Sequence, residues 1–110
     1  MIVQADIDIR ARFYRGLADP SRLAILDALI AGERTAGGVA VAAGLSPSNA
    51  SRHLACLKDC TLVESRQDWR YVYYRLADGV AELLAADAPF IDRVAQHIAS
   101  CQRPEMGARG

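Results

Sequence analysis

Two cysteines, Cys56 and Cys60, stand four residues apart in the stretch "SPSNASRHLACLKDC" that runs over residues 46–60. On a helix that spacing turns both thiols to one face, where they can point at a single ion. Thiolates are soft ligands. They favour Zn(II) and Cu(I) and, by the same logic, Cd(II), Pb(II), As(III) and Hg(II). Two ligands are too few for a tight site. The third cysteine, Cys101, stands near the end of the last helical pattern and can supply another thiolate, from the same chain or from a second copy. His53 precedes Cys56 by three residues and His97 precedes Cys101 by four. Each suits a structural or nucleic-acid-facing role better than a ligand's, although one of them can fill a fourth position. A lone cysteine is most often a small buried apolar residue. An i,i+4 pair lying off the core stripe is better explained as part of a ligand set. The same thiols offer a second chemistry, pairing of Cys101 with Cys56 or Cys60 on oxidation.

The helix that carries the pair has a second set of functional residues. Ser46 suits the N-cap and Pro47 the first helical position. At about 100° per residue, Ala50, Leu54 and Leu57 fall within roughly 60° of each other and form a core stripe. Asn49, His53, Cys56 and Cys60 form another stripe, centred about 100° away. The early polar residues Ser46, Ser48, Asn49, Ser51, Arg52 and His53 are candidates for contact with DNA. Asn pairs with adenine, Arg with guanine, and Ser with phosphate or base. An ordinary solvated helix would carry similar residues, so the flanking elements decide.

Those elements have a readable order. Residues 5–17 carry a helical pattern through Ile7, Ile9, Phe13 and Leu17. In "DPSRLAILDALIAGE", Asp19 is placed to cap, Pro20 suits the first turn, the apolar face is broad, and Gly32 ends the helix. Thr35 is the next N-cap, opening a short helix that stops at Gly44. The recognition helix follows at about 47–59. The period then changes. "TLVESRQDWRYVYYRLA" is rich in Val, Tyr and Thr around a polar centre and predicts a two-stranded hairpin over about 62–76. Arg70 and Arg66 would reach backbone or minor groove from this wing, while Trp69 either joins them or packs beneath it. Helical periodicity returns over about 79–101 through Leu83, Leu84, Ile91, Val94 and Ile98. Pro89 interrupts it, predicting a kink or a restart. Residues 102–110 read as a flexible tail. The whole is one domain over 1–101, mainly α with a β-hairpin wing: a winged helix-turn-helix.

Bulk properties agree. A chain of 110 residues fits one compact domain that gains from dimerising. Formal net charge is zero, with 13 basic and 13 acidic residues, which argues against a general polyanion binder. Among the basic residues only Lys58 is not Arg, and Arg is the side chain suited to bidentate phosphate and guanine contacts. Charge is segregated along the chain, weakly basic over 44–75 and acidic over 78–92. The N-terminus lacks the basic start and apolar centre of a signal peptide, and no run of apolar residues is long enough to span a membrane. The expected location is the cytoplasm. There an odd number of cysteines does not suggest a disulfide framework.

Taken together, "GLADPSRLAILDALIAGE", "LSPSNASRHLACLKDCTLV" and "SRQDWRYVYYRLAD" resemble the second helix, recognition helix and wing of the ArsR/SmtB family of metal-sensing repressors. The resemblance covers about residues 12–92. The thiol pattern is similar to that of the CmtR-type cadmium and lead sensors, in which the recognition helix reads His-Leu-x-Cys-Leu-x-x-Cys and a further cysteine lies in the C-terminal region. Cys56, Cys60 and Cys101 match those positions. No Cys-x-Cys lies in the short helix over 35–43, and the last helix keeps only His97 of the family's zinc pattern. The resemblance implies a homodimer joined through its first and last helices, with Phe13, Leu17, Leu83, Leu84, Ile91, Val94 and Ile98 at the interface.

The resulting expectation is a dimeric repressor of double-stranded operator DNA, with a thiophilic ion as effector. Cd(II) and Pb(II) lead, and Zn(II) and As(III) are compatible. Two alternatives keep the same fold. In one the cysteines form a redox switch. In the other the winged helix binds only protein, which predicts no salt-dependent DNA affinity. An enzyme is not expected, because no catalytic triad and no Gly-rich phosphate loop is present.

Overall fold

A computed structural model describes residues 4–101, with side chains over 6–99. The predicted tail, residues 102–110, lies outside the described residues. The chain divides into two compact units, up to Asp78 and from Gly79 onward.

The first unit is built on three helices that pack on one another: α2 (Pro20–Ile30), α3 (Ala36–Ala43) and α4 (Pro47–Asp59). Ile25 and Leu26 of α2, Val39 of α3, and Leu54 and Leu57 of α4 are all but fully buried. Full burial of such a side chain is worth about 1.5–3 kcal/mol, so this cluster fixes how the three helices cross. The predicted stripe of Ala50, Leu54 and Leu57 is the buried face of α4. Helix α1 (Gln4–Leu17) packs against α2, and the Arg22 Nη1 donates to the Gly16 carbonyl at 3.2 Å across that junction.

Local signals set the helix ends. The Thr35 hydroxyl accepts from the Gly38 N–H at 3.1 Å and caps α3. Gly44 closes that helix with φ of 70°, a left-handed conformation that suits glycine. The Leu45 N–H then bonds back to the Ala40 carbonyl at 2.9 Å, and this reversal directs the chain into α4. Asp19 departs from expectation. It precedes α2 in extended conformation but makes no side-chain cap hydrogen bond, because its carboxylate faces Arg22 and His53.

The wing is an antiparallel hairpin of β2 (Val63–Asp68) and β3 (Tyr71–Leu76), in register from Val63 opposite Leu76 to Asp68 opposite Tyr71. A further strand, β1 (Arg34–Thr35), pairs with the other edge of β3 and gives the order β1-β3-β2. The sequence does not announce β1. Two residues carry no periodicity, and the strand exists only because β3 lies beside it. Trp69 is 76% exposed at the turn, which excludes the reading that packs it beneath the wing.

The second unit contains α5 (Val80–Ala86) and α6 (Ala88–Cys101). The break falls at Asp87 and Pro89 sits in the first turn of α6, where a missing N–H leaves no helical bond unmade. The interruption is therefore a restart. No described helix is long and apolar enough to cross a membrane.

Candidate nucleic-acid interface and thiol site

The first two turns of α4 present a polar, exposed surface. The Ser46 hydroxyl accepts from the Asn49 N–H at 3.2 Å, so it serves first as the cap. Ser48, Asn49, Ser51 and Arg52 are exposed. The Arg52 Nη2 donates to the Asn49 Oδ1 at 2.8 Å, which joins a guanidinium and an amide into one donor-rich group. No acid occupies the first turn, so the positive end of the helix dipole is unopposed there. His53 is placed differently. Its side chain is 16% exposed, and its Nδ1 lies 3.6 Å from the Asp19 Oδ2. That orientation makes His53 a link between α4 and the start of α2.

On the wing the two predicted arginines also differ. Arg66 makes a bidentate pair with Glu33, Nε to Oε2 and Nη2 to Oε1 both at 2.8 Å, and lies 4.8 Å over the Tyr73 ring. This hydrogen bonding holds the Glu33 carboxyl below the usual carboxylate range and raises Arg66 further above its own. Arg66 thus straps β2 to the loop after α2. Arg70 stands at the tip, its guanidinium 4.2 Å over the Trp69 ring. Arg75 pairs across the hairpin with Glu64 at 2.7 Å, and that hydrogen bond raises the guanidinium pKa.

The thiols occupy the other end of α4. Cys56 and Cys60 are free and exposed, and both line a surface depression of about 170 Å³ with Gly16, Arg22 and Leu62. Cys60 also borders a larger hollow of about 350 Å³ against Ile9, Arg12 and Phe13 of α1. The Cys60 N–H makes a last helical bond to the Cys56 carbonyl, and the helix stops here because the Thr61 N–H turns back to the Lys58 carbonyl with Thr61 in a left-handed φ of 62°. Two soft donors on one exposed face suit a thiophilic ion. Among the described residues no group of three Cys, His, Asp or Glu side chains is placed to hold a metal. Cys101 closes α6, but its side chain lies outside the described residues.

The residues expected at a dimer interface are divided. Phe13 and Leu17 on α1, Leu84 on α5 and Val94 on α6 are half-buried, whereas Leu83, Ile91 and Ile98 are exposed. Ile7, Ile9 and Tyr14 on α1 and Phe90 on α6 add exposed apolar surface.

Sequence reasoning missed three contributors. Asp19 was legible only as a cap, Arg22 carried no signal of a role, and nothing in the spacing of Glu33 and Arg66 marks them as partners. Each acts through a contact that only the folded chain creates.

Residues 19–65 match the model of the bacterial regulatory protein, arsR family. A probable mercury resistance operon repressor from Streptomyces lividans is 45% identical over 87 residues, covering 73% of this chain and 70% of that protein. The transcriptional regulator CmtR of Mycobacterium tuberculosis is 48% identical over 68 residues, 62% of this chain but only 58% of CmtR's length. The NMR structure of that protein, described as a cadmium metal-sensor, covers 69% of this chain with a TM-score of 0.61 at 45% identity, and 80% of its own chain is covered. The homodimeric winged helix-turn-helix DNA-binding domain of a possible ArsR-family regulator from Mycobacterium bovis is similar with a TM-score of 0.76 and 39% identity, covering 84% of this chain and 87% of that one. These relatives are transcriptional regulators and not enzymes, and the chain belongs with them to the arsR family of bacterial regulatory proteins.

Proposed function

We propose that this regulator is a metal-responsive repressor. As a homodimer it binds an inverted-repeat operator, and it releases the DNA when Cys56, Cys60 and Cys101 bind Cd(II) or Pb(II). The observation that carries this reading is the layout of α4. Its exposed Ser, Asn and Arg side chains lie at the N-terminal end, and two free thiols share one depression at the C-terminal end. The cadmium-sensing and mercury-resistance relatives support a thiophilic effector. The homodimeric neighbour, with the exposed apolar residues on α1 and on α6, supports self-association.

The bound ion would supply a fixed link among thiolates. The chain's own residues do the rest. Cys56, Cys60 and Cys101 give up their protons on ligation, so the response weakens as pH falls. Tying Cys56 and Cys60 stiffens the last turns of the helix whose first turns read DNA. Coupling between two such sites is typically about 1–3 kcal/mol, roughly 5–150-fold in affinity.

The test is a DNA-binding titration with and without Cd(II) or Pb(II), followed by ultraviolet absorption for thiolate-to-metal charge transfer. Wild type should release DNA as the band grows to one ion per chain. The Cys56→Ser, Cys60→Ser double variant should keep its DNA affinity and lose both release and band. Metal-driven release in that variant would remove the assigned site. Release by peroxide in metal-free buffer, reversed by a dithiol, would favour the redox switch instead.

A further inference from the structure

Trp69 is the chain's only tryptophan. It occupies the first position of the two-residue turn at the wing tip with a φ of 60°, and Arg70 after it does not share that sign. A two-residue hairpin turn with positive φ at this position favours glycine, and a bulky side chain there costs conformational energy. The indole recovers little by burial, since it is 76% exposed. What it touches is Arg70, whose guanidinium lies 4.2 Å over the ring. The Gln67 Nε2 donates to the Trp69 carbonyl at 3.1 Å and fixes the turn. Asp68, the nearby acid, faces Arg66 at 3.6 Å. Strain retained without a packing return marks a position that serves a function.

We infer that Trp69 is a positioning residue. It holds the Arg70 guanidinium flat and forward so that the wing reads the width of a narrow, A·T-rich minor groove. This rests on the DNA-binding reading above and adds a specificity element to it. Narrow A·T grooves concentrate negative potential and draw inserted arginine, so discrimination arises without a base-specific hydrogen bond. A free arginine loses rotamer freedom on insertion. One already stacked on an indole has lost most of it beforehand. Glycine at position 69 would suit the backbone better and would leave Arg70 unsupported.

The experiment uses duplexes that the wild-type protein selects from a randomised library, remade with A·T or G·C pairs where the wings fall. Wild type should prefer the A·T versions, and saturating binding should change its tryptophan emission. Trp69→Gly should melt at the same temperature or higher, yet bind A·T duplexes about two- to fivefold more weakly per wing, the weight of an exposed cation–π contact. Its A·T preference should flatten toward that of Arg70→Ala, while Trp69→Tyr should retain it. If Trp69→Gly binds and discriminates like wild type while Arg70→Ala does not, the role of Trp69 is overturned and the DNA reading stands. Loss of binding together with a lowered melting temperature would make Trp69 a structural turn residue and also overturn the proposal. If wild type selects no duplex, the DNA reading itself falls.

Discussion

Two helices of the first unit open alike, on Asp19-Pro20-Ser21-Arg22 at the start of α2 and Ser46-Pro47-Ser48-Asn49 at the start of α4. In both, an oxygen-bearing side chain precedes a proline at the helix start. Only Ser46 caps, accepting from the Asn49 N–H at 3.2 Å. Asp19 turns its carboxylate away from the helix end, to Arg22 at 3.7 Å and His53 at 3.6 Å. The difference follows from what else holds each helix. α2 buries Ile25, Leu26, Ala28 and Leu29 and needs little help at its end. α4 buries one narrow stripe and leaves most of its surface exposed. A well-buried helix can therefore spare its cap residue for contacts beyond its own first turn, and here Asp19 approaches His53 of α4.

The largest effect expected is on burial. Leu26→Ala, at a side chain with no exposed surface, should lower stability by about 2–5 kcal/mol in urea unfolding. A loss near 1 kcal/mol would mean that α2 is not held by its core face, and the comparison would break. The caps come next. Ser46→Ala should cost about 1 kcal/mol at low and high salt alike, because it removes a neutral capping hydrogen bond. Asp19→Asn should cost less than about 1 kcal/mol, and that cost should vanish in high salt, since it removes a partly exposed charge pair with Arg22. A salt-independent loss at Asp19 would show it to be a cap after all.

Much of this was readable beforehand. The core stripe of α4, the caps at Thr35 and Ser46, the left-handed Gly44 and the hairpin each rest on interactions spanning a few residues, and periodicity or turn chemistry reports those directly. Strand β1, the diverted carboxylate of Asp19, the strap from Glu33 to Arg66 and the inward turn of His53 were not readable. Each depends on elements brought together from distant parts of the chain. The same division runs through the site. The i,i+4 thiols and the polar first turns of α4 are local facts. Whether Cys101 joins them is a tertiary fact, and spacing alone does not carry it.

The smallest effect concerns the far end of α4 and sharpens the comparison of helix ends. Thr61 follows Cys60 in left-handed conformation, φ of 62°, where helices prefer glycine and a β-branched side chain is strained. Its N–H still bonds the Lys58 carbonyl at 3.0 Å, and the Leu62 N–H bonds the Leu57 carbonyl at 2.9 Å, so the stop is well made despite the residue. The hydroxyl returns part of the cost by donating to the Cys60 carbonyl at 2.5 Å. Thr61→Gly removes the backbone strain but also that hydrogen bond, and it gives the unfolded chain more freedom to lose. These terms leave a net gain of about 0.5 kcal/mol, read as a slightly raised melting temperature. A lowered one would mean that the hydroxyl contact outweighs the strain. Thr61 would then hold the turn beside Cys60 much as Ser46 holds the opposite end, and both ends of α4, unlike the start of α2, would depend on a side-chain oxygen.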